Sequence, residues 1–269
     1  DNPIVLSGVI EGIRRLYMTG VANEDRPRFA RYVSKMLNPH LLKIGFRGEK
    51  NEAFSKTQLR PKLIRTLALL GNDKRLREHA KRHLDKLALT AKSTDLTLTG
   101  AWLKIAARVG DNATWENLKK ISENTKDPTM KQELRVALGY FRDPQLLRKS
   151  LDILVQDENS TNFFWSLGLV EVNDPAIQQI KWQWFVDNYE ELAPLVREDL
   201  QRFLPHFGKG LCSEIDKQHV VSFFNKNGNL KDGMEYHFHR VIEHIEQCAW
   251  LNVSISGSVS RWLKRHYSK

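Results

Sequence analysis

Two cysteines in 269 residues cannot build a disulfide framework or a zinc cluster, so the fold of this chain must come from a hydrophobic core. Cys212 and Cys248 fit free thiols in a reducing compartment and a single bridge equally well. No uncharged apolar run approaches the roughly 18 residues of a membrane span, and the stretches Leu67 to Leu70 and Phe163 to Val170 are far shorter. No membrane partner is therefore expected. The phosphate loop GxxxxGK[ST], a GxGxxG turn after a strand and a GxSxG elbow are all missing, which removes the chemistries those loops support. The chain also lacks an initiator Met, a basic n-region and an apolar h-region, so it reads as a processed product or an excised fragment. Three sequons occur, at Asn112, Asn159 and Asn252, where sixteen Asn produce about one or two by chance, and the compartment stays open.

What is abundant is apolar spacing of the helical kind. A hydrophobic share of 41% with seven Trp gives a core to bury and excludes a disordered chain. Ile4, Val9, Ile10, Ile13, Leu16 and Tyr17 form one stripe that ends at Gly20; Phe29, Tyr32, Val33, Met36 and Leu37 form a second after Pro27. Leu59, Leu63, Leu67 and Leu70 form a third, closed by Gly71, with Asn72 or Asp73 available to cap the next helix. Leu98 to Val109 and Trp115 to Ile121 continue the pattern. Asp127-Pro128, Asp143-Pro144 and Asp174-Pro175 each set a side-chain acceptor before a first-turn proline whose missing N–H costs nothing there. Period-two alternation is scarce, and Val253 to Val259 carries too much Ser and Gly for a strand. The fold class expected is all-α, a superhelical array of antiparallel helix pairs of the HEAT or armadillo kind. Gly71, Gly110 and Gly139 do not recur at one interval, so the helix hairpins are firmer than any repeat name. No linker divides the chain, and Ser93 to Thr99 is too short a polar stretch to do so; residues 1–269 read as one module.

Little titratable chemistry converges. His79 and His83 lie one helical turn apart, as zinc ligands on a helix do, but Lys74, Arg75, Arg77, Lys81 and Arg82 surround them and disfavour a dication. His237 and His244 share a face while His239 is rotated away, a poor ligand set. No catalytic residue and no metal site are assigned. The 42 Lys and Arg against 32 Asp and Glu leave an excess of ten positive charges, which suits acidic peptides or a phosphodiester backbone. Trp102, Trp115, Trp184 and Phe224 sit on apolar stripes and are expected in the core, not as base-stacking platforms.

A series of short motifs follows in order along the chain. Leu59-Arg60 opens a helix that stops at Leu70-Gly71; Asp95 through Ala107 to Gly110, then Trp115-Glu116-Asn117-Leu118, follow. Next come Glu133-Leu134, Ala137-Leu138-Gly139, Asp143-Pro144 to Leu151, and Trp182-Gln183-Trp184-Phe185 with Asn188. Cys212-Ser213, Phe223-Phe224, Glu243-His244-Ile245, Trp250 and Trp262-Leu263 complete the series. Taken together, the series resembles the C-terminal helical domain of the zinc aminopeptidases related to aminopeptidase N and the endoplasmic-reticulum aminopeptidases. The resemblance implies a bowl of paired helices that caps a separate, upstream catalytic domain. The zinc helix HExxH, the third ligand and the GxMEN loop would lie there, so zinc belongs to the parent enzyme and no cofactor to this chain. The family's first helices and its R-x-x-Y segment are not visible before Asp1, which implies that the module lacks its first helices.

Such a cap selects peptides by what it admits and by where it holds their far end. A cationic wall favours a terminal carboxylate, most strongly where an Arg fork meets both oxygens. Arg60, Arg65 and Arg135 are the candidates for substrate binding, set against the plainer reading that each pairs with a neighbouring carboxylate or faces water. The expected partners are the upstream catalytic domain and peptide substrates. A stand-alone basic helical-repeat protein binding nucleic acid or a protein is the alternative, and nucleic acid is not the expected partner. Binding to nucleic acid would weaken steeply between about 50 and 200 mM salt. The chain alone is expected to hydrolyse no aminoacyl reporter and to carry no stoichiometric zinc; turnover together with one zinc per chain would overturn that reading.

Overall fold

Helices joined by short turns make up the computed structural model, which describes residues 2–49, 51–90, 95–156, 164–165, 174–226 and 230–268. Among these residues there is no strand, as the scarcity of alternation predicts. The fold is all-α. The sequon Asn159, the run Phe163 to Val170 except Phe164 and Trp165, and residues 93 and 94 of the polar stretch lie outside the described residues.

The helices are α1 (Pro3–Thr19), α2 (Arg26–Ile44), α3 (Phe54–Leu69), α4 (Lys74–Thr90), α5 (Leu96–Val109), α6 (Asn112–Asn124) and α7 (Pro128–Leu138). They continue with α8 (Pro144–Leu151), α9 (Ile153–Gln156), α10 (Pro175–Leu195), α11 (Glu198–Gln201), α12 (Glu214–Asn225) and α13 (Glu235–His266). Their starts follow the capping chemistry expected. Asp127, Asp143 and Asp174 each accept backbone N–H groups of the turn that follows, at 2.8, 2.9 and 3.0 Å. Asp95, Asp111 and Ser213 do the same for α5, α6 and α12. Of the two candidates before α4, Asp73 is the cap, taking Arg75 N at 2.9 Å, while Asn72 turns the chain at a φ of 56°. Helix α3 begins five residues before Leu59, and α13 runs unbroken through Val253 to Val259.

Two compact units emerge, Asp1–Ala137 with Ile255–Lys269, and Leu138–Ser254, where the sequence reads one continuous module. In the first, α3 packs on α1, α2, α4 and α5, and α4 packs on α5 and α6. Leu63, Ile64 and Leu67 of α3 are wholly buried, with Phe29, Val33 and Leu37 of α2 and Leu103 and Ile105 of α5. The stripe of α1 is buried only from Ile10 onward; Ile4 and Val9 are exposed. The last turns of α13 close this unit: Trp262 meets Tyr32 edge-on at 5.4 Å, and Ile255 lies against Gly20. In the second unit, α10 packs on α8, α9 and the 3-10 turn Leu204–Gly208. Trp184 donates to Asp152 Oδ1 at 2.7 Å, and Trp102, Trp115, Trp184 and Phe224 are all buried, as their stripes require.

Arg60 shows how the first unit admits a charge. Its side chain is 1% exposed, and every guanidinium nitrogen is engaged. Nε donates to Gly45 O at 3.0 Å, Nη2 to Ile44 O at 3.1 Å, and the fork grips both oxygens of Glu52, Nη1 to Oε2 at 2.7 Å. Those bonds hold the Glu52 carboxyl below the usual carboxylate range against the opposing effect of burial. Arg60→Ala is expected to cost about 3 to 5 kcal/mol in urea unfolding, because it strands a buried carboxylate, while the Glu52→Leu/Arg60→Met double variant recovers most of that. A lowered folded-state value means that the Glu52 contribution is complete above its unfolded value of about 4.3 and is lost as pH falls through the folded one. Acid unfolding of Glu52→Gln should lack that component.

Candidate functional site

A short turn with its own aromatic anchor shapes a concavity of the second unit. The 3-10 turn Leu204–Gly208 has few backbone hydrogen bonds of its own, and Phe207 fixes it by stacking on Phe185 of α10 at 4.5 Å and 13°. Gly208 presses against Val220 of α12 and Val241 of α13. Gly210 then turns the chain at a φ of 95°, where a side chain would be strained and would meet Gln178 at 3.0 Å. Beyond the turn, Cys212 N donates to Asp216 Oδ2 at 3.2 Å, and Asp216 Oδ1 accepts from Gln179 of α10 at 2.7 Å. Cys212 is bonded to Cys248 of α13, which settles the two alternatives the sequence left open. The bridge ties the segment that follows the turn directly to the helix on the other side.

The cavity so formed measures about 390 Å³. Helix α10 contributes Gln178 and Lys181, one turn apart and both buried; Lys181 is 2% exposed. The turn contributes Phe203, His206, Phe207 and Lys209, and the first turn of α13 contributes Tyr236, His237 and Arg240. Trp165 completes the lining, edge-on to Phe203 at 4.9 Å. His206 Nε2 and His237 Nδ1 are hydrogen-bonded at 3.0 Å, and the His237 ring lies 4.4 Å from that of Phe203. Burial, and then the charge of Arg202, hold His237 below its ordinary value, so it is neutral at physiological pH. The lining therefore combines two lysines, an arginine, two imidazoles and aromatic side chains, with no carboxylate among the described lining residues. That combination suits an anionic group attached to an apolar body.

Arg60, Arg65 and Arg135 all belong to the first unit, and none of them is among the lining residues. Arg60 is internal and bound to Glu52; Arg65 is half-buried in the middle of α3, and Arg135 half-buried in the last turn of α7. The basic run Lys74 to Arg82 forms part of α4, where Arg75 pairs with Asp73 at 2.9 Å and Arg77 donates to Ala68 O at 2.7 Å. His79 packs on Trp102 and His83 meets Thr99 at 3.2 Å; burial holds both imidazoles below their ordinary value, with Arg82 and Arg47 acting further on His79. Among the described residues no group of three or more His, Cys, Asp or Glu could hold a metal ion. No described helix is long and apolar enough to cross a membrane.

Grouping His237 with its chain neighbours missed its partner, because His206 is 31 residues away and only tertiary packing joins them. Lys181, Lys209 and Arg240 carried no pattern of their own. The single available signal was Gln178 and Lys181 at one-turn spacing beside Trp182, which reads equally well as a solvated face.

A family model described as ERAP1-like C-terminal domain matches residues 1–247. Aminopeptidase M1-C of Oryza sativa subsp. japonica is 23% identical over 201 residues, covering 71% of this chain and 21% of that protein. The chain spans about a fifth of the length of this curated relative.

The bridge closes 36 residues, which contributes about 3 to 4 kcal/mol in a chain-entropy account. Reduction, or Cys212→Ser with Cys248→Ser, is expected to lower the Tm of the second unit by roughly 10 °C in differential scanning calorimetry. An unchanged melting profile would show that the turn is held by its aromatic packing alone.

Proposed function

The chain belongs to the ERAP1-like C-terminal domain family, and on that premise we propose that it is the substrate-accommodating C-terminal module of a zinc-dependent aminopeptidase. In this reading residues 1–269 cap the active site of a catalytic domain carried elsewhere on the parent polypeptide, and the metal chemistry resides in that domain. The module contributes no reacting group. Its work is to hold the far end of a peptide whose amino end is being processed, so that binding energy from a remote contact is used to position the scissile bond.

One observation carries the proposal: the cavity between α10, the 204–208 turn and the start of α13, lined by basic and aromatic side chains. A peptide carboxylate meets Lys181, Lys209 and Arg240, and the terminal side chain packs among Phe203, Phe207 and Trp165. Lys181 is the basic residue that α10 contributes, buried in the lining. Arg240, more exposed and paired with Glu243 at 3.2 Å, acts at the rim. Arg65 and Arg135 stay proposed peptide contacts of the first unit.

The experiment uses an amino-terminally fluorescein-labelled nonapeptide ending in Phe, as free acid and as amide. Charge-assisted hydrogen bonds are each worth about 1.5 to 3 kcal/mol, so fluorescence anisotropy should show the acid binding the chain roughly tenfold tighter or more. Lys181→Met should abolish most of that difference. Equal binding of acid and amide would show that the cavity is not a carboxylate site.

A further inference from the structure

The excess of ten positive charges is not spread evenly along the chain. Helix α2 carries Arg26, Arg28, Arg31, Lys35 and Lys43 and no Asp or Glu; residues 255–268 carry Arg261, Lys264 and Arg265 and again no Asp or Glu. Without these eight the chain holds 34 Lys and Arg against 32 Asp and Glu and is close to neutral. The fold of the first unit brings the two segments together. Tyr32 meets Trp262 at 5.4 Å and Tyr267 at 5.8 Å, the Arg31 guanidinium donates to Tyr267 O, and Lys35 Nζ lies 6.0 Å from the centre of the Tyr267 ring. Helix geometry then turns the charges outward. On α2 the buried stripe of Phe29, Val33 and Leu37 leaves Arg31 and Lys35, one turn apart, on the exposed side. On α13 Leu263 is buried, and Arg261, Lys264 and Arg265 share the exposed side opposite it. Arg31 meets a carbonyl, Lys35 a ring and Arg261 the Ser258 hydroxyl at 3.1 Å, whereas Arg28, nearer the start of α2, is neutralised by Asp25 at 3.0 Å. Beside these basic side chains stands Trp262, 43% exposed and stacked on His266 at 4.9 Å.

We propose that this surface of the first unit, α2 together with the last turns of α13, binds a sulfated polysaccharide. Gathering the excess charge on one surface draws a polyanion in and lets several basic side chains displace its counterions at once. The disulfide selects among polyanions. A bridge such as Cys212–Cys248 persists in oxidising surroundings, a secretory lumen or a cell surface. Nucleic acid and the anionic leaflet of a membrane belong to the reducing interior of a cell, so the polyanions that share the bridge's surroundings are sulfated sugar chains. The chemistry of the surface suits them. Arginine forks meet the oxygens of a tetrahedral oxyanion in pairs, lysines supply point charges, and the rings of Trp262 and Tyr267 offer apolar surface to the C–H face of a sugar. The proposal stands independently of the peptide reading, which concerns a cavity of the second unit.

The test follows the fluorescence anisotropy of a fluorescein-labelled heparin octasaccharide mixed with the whole chain. Binding through five basic side chains should weaken on the order of a hundredfold between about 50 and 200 mM NaCl. Arg261→Gln/Lys264→Gln/Arg265→Gln alters exposed side chains and keeps good helix formers, so circular dichroism should be unchanged while affinity at low salt falls about tenfold. Lys120→Gln/Lys126→Gln/Lys226→Gln removes the same charge from other exposed positions and should leave affinity within about twofold. The desulfated octasaccharide should bind about tenfold more weakly than the sulfated one, or worse. Equal losses in the two triple variants would show that net charge and not this surface holds the sugar, and would overturn the assignment, as would a desulfated sugar that binds equally well. An oligothymidine of matched charge, or phosphatidylserine vesicles, bound more tightly than the octasaccharide at equal salt would give the surface to another polyanion and overturn the choice of polysaccharide.

Discussion

Phe207 lying flat on Phe185 at 4.5 Å is the contact on which the site depends. A five-residue 3-10 turn has neither the length nor the hydrogen bonds to persist alone, so its position is dictated by what it buries. Leu204, Phe207 and Leu211 are all buried, and around them the rings of Trp184, Phe185, Phe223, Phe224 and Phe238 form one aromatic seam in the second unit. Because interiors are close-packed, this seam fixes the turn, and with it the backbone positions of His206 and Lys209. The bridge and the Asp216 carboxylate restrain the segment that follows.

Positive charge serves two ends in this chain. In the first unit Arg60 is withdrawn from solvent and fully spent on Glu52 and two backbone carbonyls, a clamp that joins the end of α2 to α3. In the second, Lys181, Lys209 and Arg240 line a concave surface together with two imidazoles. A binding site needs its cations directed at a space a ligand can enter, and an arginine surrounded by its own chain does not meet that need whatever its geometry. The net excess of ten charges speaks to the class of ligand, and their positions in the fold decide which of them can meet it.

The capping aspartates and apolar stripes were legible because their physics is local. Asp127, Asp143 and Asp174 act on N–H groups two or three residues away, and Leu59, Leu63 and Leu67 lie on one face of a helix by geometry alone. Ile4 and Val9 continue a stripe that the fold leaves uncovered, since periodicity says which residues share a face and nothing about what lies opposite. The reading of Val253 to Val259 as unsuited to a strand agrees with α13, where Gly257 sits in mid-helix with only the far end of Arg261 nearby.

By itself the sequence determined that this chain is helical, where most of its helices begin, which large side chains are internal, and that it carries the ordered motifs of one domain family. Those properties follow from interactions spanning one or two helical turns. Tertiary structure decided that His206 meets His237, that Cys212 meets Cys248, and that Arg60 is consumed by Glu52 while Lys181 faces a cavity. Each of these joins residues from different elements, and which of them come within 3 Å is set by how the elements pack.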